Sequence, residues 1–359
     1  MDASTKCFGI AGPTHIAMNI DWDKEEHRRC IVASILKGTS IHTNKKYKEL
    51  APRWWMSFHF ELYRELKEDD QFMFGAIYRY KPPAGEPRHP SAPHYVFAFR
   101  GTMLEHDRPC HDLYHDWKVV TNDFRNCRHF NRAVDELSYI LIKPSSTPAT
   151  GVWLAGHSLG ASFALDGGTL MIARDLNLPT FLFNPPQVSM APVINLGLSN
   201  KAKNDLYDFS YKMKYILGKT KKLRRHSERM EVLFEKLSPW QPQLYVHEGD
   251  VVCQGFIDYF EQRERLLDRY PDITLLAMMM SYRDMISYLI GEDKEQPHLL
   301  PSARLWKVKK QSHSEDAHGL KQWWMPNNAL GWSIYERGYK YIWKGKGEKG
   351  LQGCAPGLV

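Results

Sequence analysis

The sequence lacks the marks of an exported or membrane-built chain. Its six cysteines (Cys7, Cys30, Cys110, Cys127, Cys253, Cys354) show no C-x-x-C spacing among 359 residues, which argues against a zinc ribbon and a disulfide scaffold. Met1 to Ile10 has no basic region followed by an apolar stretch, and Gly-Leu-Val at the end is no retention or peroxisomal tripeptide. Reduced thiols without an export signal predict a cytoplasmic protein, free or peripheral on the cytosolic face of a membrane. Long apolar runs are missing too. The most apolar one, Thr274 to Met280, is followed by Arg283 and Asp284, and a span needs roughly 20 residues. A polytopic membrane protein is excluded, as is dominant disorder, because 43% of residues are hydrophobic and 13% aromatic. A chain this long can bury its core without disulfides or metals.

The net charge of +7 is concentrated rather than spread. Residues 201–236 hold eleven Lys or Arg against five Asp or Glu. No nucleic-acid reading motif accompanies them, so no nucleic-acid partner is expected. Two readings stay open: a solvated helical insertion, or a surface that meets anionic lipid or an acidic partner.

Along the chain, Gln71–Tyr80 and His94–Arg100 read as strands separated by a loop with five prolines over Lys81–Pro93. Residues 130–142 place apolar side chains at helical spacing, and Pro144 ends that helix. Gly151–Ala155 reads as a strand, Ala161–Arg174 as a helix, and Thr180–Phe183, Gln243–Val246 and Ala303–Val308 as further strands, the last of them final. Alternating strands and helices predict a mostly parallel sheet covered on both faces. The whole chain, 1–359, is expected to be one domain. A helical cap is inserted over 196–242, with an apolar helical stretch over 272–291 contributing to it.

Gly156-His157-Ser158-Leu159-Gly160 matches G-x-S-x-G. A nucleophilic serine must sit on a sharp strand-to-helix turn, and glycines two residues either side remove the collisions such a turn creates. The following helix aims free N–H groups at the site.

The block V-W-L-A-G-H-S-L-G-A at Val152–Ala161, with F-R-G-T at Phe99–Thr102, resembles the class 3 lipases, a branch of the α/β-hydrolases. F-L-F-N-P-P at Phe181–Pro186 and A-H-G-x-x-Q-W-W at Ala317–Trp324 are similar to a plant lipase-like subfamily within it. The likeness runs from Phe8-Gly9-Ile10 to the tryptophan pair. Members often carry the label GDSL esterase/lipase, yet no G-D-S-L occurs here. The resemblance implies the α/β-hydrolase fold and its catalytic apparatus, and says little about substrate.

A serine needs a base, and the base needs an acid to hold its tautomer. In this fold the order is Ser, acid, His. Asp250 follows the strand Gln243–Val246 and the tight turn at Gly249, and aligns with the family's G-D; Glu248 is the second candidate. Asp258 falls in a charged helical stretch and is expected at the surface. Of the histidines after Asp250, His298 precedes the last strand, whereas His313 and His318 follow it. His318 matches the A-H-G block, and His313 looks like a solvated loop residue. The oxyanion hole is assigned to the Leu159 N–H and to Thr102 in the early strand-to-helix loop. His157 is given no chemistry. Trp323 and Trp324 are candidates for an apolar acyl-binding wall, against a packing role. No metal or organic cofactor is required. The expected activity is a serine hydrolase acting on small-molecule or lipid carboxylic esters. Acyl transfer or cyclisation on the same triad, and a non-catalytic receptor or scaffold, are the alternatives.

Overall fold

The computed structural model describes residues 12–13, 15–16, 19–42, 53–68, 72–101, 128–142, 148–187, 194, 197–291, 300–308, 317–327, 334–342, 350–353 and 357–358. Five strands form a parallel centre in chain order: β3 (Tyr95–Phe99), β4 (Val152–His157), β5 (Thr180–Phe183), β6 (Gln243–His247) and β7 (Ala303–Val308). Each crossover steps one strand the same way. Right-handed connections then lay the crossover helices on a single face of the sheet. These are α2 (Arg128–Ile142), α3 (Leu159–Ile172), α5 (Arg224–Leu237) and α6 (Gln254–Arg269). The other face is covered by α1 (Glu25–His42) and by two short 3-10 helices, Trp54–Phe58 and Leu320–Trp324.

Side chains alternate across the strands, as the pleat requires. Leu154, Leu182, Leu244 and Leu305 join the crossover helices in one core. Trp153, Phe181, Phe183, Tyr245 and Trp306 point the other way into a second, strongly aromatic core. The helix expected over 130–142 is there, with Phe130, Ala133, Leu137 and Ile140 buried along one stripe. Among the described residues no helix is long and apolar enough to cross a membrane. Cys30 and Cys253 are buried free thiols.

The chain is an α/β protein, but its sheet and its cap need correction. The sheet is parallel only at its centre. β1 (Phe60–Glu68) and β2 (Phe72–Tyr80) extend one edge antiparallel, and β8 (Ile334–Ile342) pairs antiparallel with β7, so Ala303–Val308 is not the last strand. The helical stretch over 272–291 consists of two helices, α7 (Pro271–Ala277) and α8 (Tyr282–Leu289). Ser281 interrupts it as an N-cap, its Oγ accepting the Asp284 N–H at 3.1 Å. The segment 196–242 forms α4 (Asn200–Gly218) and α5, yet α5 is core rather than cap. Met230, Phe234, Leu237 and Trp240 are buried in the core that α3 shares, the Trp240 ring lies against Gly168 of α3, and Trp240 Nε1 donates to Leu178 O, before β5 begins and so at the end of the sheet away from Ser158.

Candidate active site

Ser158 links β4 to α3 with φ 53 and ψ −129, a conformation that costs an L-residue of order 1–3 kcal/mol. The turn is held by the Ser158 N–H donating to Phe183 O (3.0 Å) and the Ala161 N–H donating to Ser158 O (2.8 Å). Both motif glycines are required by close approach. A Cβ on Gly156 would land on the Gly160 carbonyl, and one on Gly160 would land on the Phe99 and Arg100 carbonyls at the end of β3. Helix α3 is thereby pressed against the loop that leaves β3. Gly101 on that loop touches the serine: a Cβ there would lie 3.0 Å from the Ser158 Cβ. Thr102, the next residue and the expected oxyanion donor, lies outside the described residues. Leu159 opens α3, where first-turn N–H groups have no intrahelical acceptor.

Asp250 follows β6 and is almost fully buried. Its Oδ1 accepts the Val252 N–H at 3.0 Å. Its Oδ2 accepts from His318 Nδ1 at 2.9 Å and from Asn184 Nδ2 at 2.6 Å. Burial opposes ionisation of this carboxyl, but His318 and these donors outweigh it and hold its pKa below the ordinary range. Glu248, the other candidate acid, pairs instead with Lys307 Nζ at 3.0 Å. Asp258 is not on the surface: it is buried and accepts from Lys203 Nζ (2.6 Å) and the Tyr207 hydroxyl (2.8 Å). His298 and His313 lie outside the described residues.

His318 is brought beside the elbow. Its ring centroid lies 5.0 Å from that of His157, the residue before Ser158. His157, given no role from sequence, holds the His318 loop, because its Nε2 donates to the His318 carbonyl at 2.7 Å. That bond fixes the tautomer, with the proton on Nε2. Burial, reinforced by His318, pushes the His157 pKa down to about 3. The unfolded chain therefore binds this proton at about pH 6.5 and the folded one only near 3, so stability falls as pH drops through that interval. His157→Gln, which keeps a donor and cannot titrate, is expected to flatten this part of the melting-temperature profile. An unchanged slope would contradict the assignment.

Asn184 is a second residue that sequence reasoning missed. It sits at the C-terminal end of β5 with φ 45, a left-handed conformation that asparagine tolerates. It is fully buried. Its Nδ2 donates to Asp250 and to the Ala317 carbonyl (3.0 Å), and its Oδ1 accepts from Trp323 Nε1 (2.6 Å). One side chain thus ties the acid, the loop before His318 and the helix after it. A polar residue at a parallel strand's carboxyl end, inside F-L-F-N-P-P, was the available signal. Asn184→Ala is expected to cost about 1–3 kcal/mol of stability through unpaired buried groups. It should also lower kcat about 10–100-fold by loosening Asp250 and His318. Chemical denaturation and ester kinetics check the two effects separately.

Trp323 and Trp324 take the packing role, not the acyl-binding one. Trp323 is fully buried against Tyr245 (5.5 Å between centroids), and Trp324 packs edge-on to Trp54 (5.1 Å). Their rings fill the aromatic core and anchor the segment that follows His318.

Over 349 residues the chain is 32% identical to a protein of Arabidopsis thaliana named GDSL esterase/lipase, a match covering 92% of this chain and 97% of that one. The chain belongs to the GDSL esterase/lipase family. Membership makes it an enzyme of the carboxylic-ester hydrolase type. No family model and no solved structure matches it. The chain carries its glycine-flanked serine in G-H-S-L-G and contains no G-D-S-L.

Proposed function

We propose that the protein hydrolyses carboxylic esters of small molecules or lipids through an acyl-enzyme on Ser158. His318, oriented by ionised Asp250, takes the Ser158 hydroxyl proton as the oxygen attacks the acyl carbonyl. The Leu159 and Thr102 N–H groups stabilise the tetrahedral oxyanion. The leaving alkoxide receives the proton from His318 and departs as the alcohol. A water, deprotonated by His318, then releases the carboxylic acid and restores Ser158. Proton transfer and oxyanion stabilisation account for each step without a resident metal.

The observation that supports this most is the buried Asp250–His318 hydrogen bond of 2.9 Å, lying beside a serine held at φ 53 between a strand and a helix. A serine in that conformation, followed in chain order by acid and histidine, fits an α/β-hydrolase of class 3 lipase-like kind. Turnover of short- and long-chain p-nitrophenyl esters tests the reading. A burst of p-nitrophenol equal to enzyme concentration, or steady hydrolysis lost in His318→Ala, is expected. Turnover undiminished in His318→Ala would overturn it.

A further inference from the structure

We propose that the outer face of α4 and α8 docks on an anionic membrane surface. Helix α4 turns Asp208, Tyr211 and Gly218 inward. A helix buried on one side normally carries polar residues on the other. Here Leu206, Phe209 and Ile216, at i, i+3 and i+10, face solvent, and Phe209 is 63% exposed. Helix α8 repeats the pattern. Asp284 and Met285 are buried, while Tyr282, Ile286 and Leu289 are exposed along one stripe, Ile286 by 59%.

The two stripes adjoin. The Tyr282 hydroxyl donates to the carbonyl of Ser210, the residue after Phe209, at 3.0 Å. Single exposed apolar side chains are ordinary, but adjoining stripes on two helices mark an interaction surface. Its rim is cationic. Lys201, Lys212 and Lys219 recur at intervals of 11 and 7 residues, which puts them on one edge of α4. Lys212 and Lys219 are exposed, and their ammonium groups rest over the rings of Tyr270 (4.8 Å) and Tyr215 (4.4 Å), which keeps both charges at this edge of the helix. The turn and the start of α5 add Lys221, Lys222, Arg224 and Arg225. The acids on α4 do not cancel this excess: Asp208 is tied to Arg265 and Arg269, which leaves Asp205 exposed.

Apolar stripes edged by long lysines match an interface that is apolar within and negatively charged at its surface, which is an anionic lipid leaflet. Neither helix carries a residue of the catalytic site, so the docking surface does not depend on the triad.

The test is flotation of the full chain, carrying Ser158→Ala so that lipid turnover cannot alter the vesicles. Vesicles of phosphatidylcholine alone are compared with vesicles containing roughly one-third phosphatidylserine, a range in which each surface lysine contributes measurably. Binding to the anionic vesicles is expected, several-fold above that to neutral ones and weakened by salt. Phe209→Ser with Ile286→Ser, and separately Lys212→Glu with Lys219→Glu, should each reduce it about tenfold. The same surface changes in the otherwise wild-type enzyme should leave hydrolysis of a soluble ester unchanged, which shows that they fold. Failure to bind anionic vesicles, or binding indifferent to both pairs of changes, overturns the proposal. Retention on immobilised polyglutamate without vesicle binding overturns it in favour of an acidic protein partner.

Discussion

Ser158→Ala is expected to lower ester hydrolysis by roughly 10⁴-fold or more, the scale on which triad nucleophiles act. The folded state should survive the change. The Ser158 N–H and carbonyl hold the turn through the backbone, donating to Phe183 O and accepting from Ala161 N, and alanine keeps both bonds. The backbone strain at φ 53 is also the same for serine and alanine. Activity and stability should therefore separate: kcat collapses while the denaturation midpoint moves little. Ester kinetics and a chemical melt of the same preparation measure the two. A variant that retained a tenth of the turnover would remove Ser158 from the chemistry.

Asp250→Asn has the second largest expected effect, and its cause is geometric. Three donors meet the Asp250 carboxylate: Val252 N–H at Oδ1, and Asn184 Nδ2 and His318 Nδ1 at Oδ2. A carboxylate accepts from all of them, whereas an amide has one oxygen and one NH₂. Whichever way the substituted amide turned, an N–H would face another donor. If the NH₂ faces His318, the imidazole must put its proton on Nε2, where it can no longer take one from serine. The expected loss in kcat is about 10⁴-fold. The substitution should also change the acid limb of stability. The native carboxyl has a pKa below its unfolded value, so its contribution is complete above about pH 4 and is lost as pH falls through the native pKa. The Asp250→Asn variant is less stable at neutral pH and loses less below about pH 4. Kinetics at saturating ester and melts across pH read the two consequences.

The parallel centre of the fold was legible for a physical reason. Its strands are buried on both faces, so Thr180–Phe183 and Val152–His157 appear as short apolar runs bounded by glycine or proline. The edges were harder to read. β1 carries Glu61, Arg64, Glu65 and Lys67 along its length, and register shifts at Leu62/Arg64 and Leu66/Lys67 break the period of two by which strands are recognised. β8 also interleaves charge and glycine, with Glu336, Arg337, Gly338 and Lys340 in its nine residues. The cap was over-read because charge on one side of α5 looked like solvent on all sides, while Met230, Phe234 and Leu237 form a narrow buried stripe.

The site divides along the same line. The reading of Ser158 rests on local sterics, and that of Asp250 and His318 on chain order together with the G-D and A-H-G blocks of the resemblance. Asn184 and His157 were not legible, because their roles are contacts across 66 and 161 residues, made only once β5, β6 and the His318 loop are assembled. The two tryptophans failed in the opposite sense: their position after His318 suggested substrate, but the aromatic core beneath the sheet claims them.

The most direct measurement is peptide mapping of the enzyme after reaction with a fluorophosphonate, which marks a serine whose proton has been taken by a neighbouring base. The expected result is one adduct per chain, on Ser158, absent from His318→Ala. An adduct on a different residue, or hydrolysis of ester that continues with Ser158 unmodified, would contradict the account.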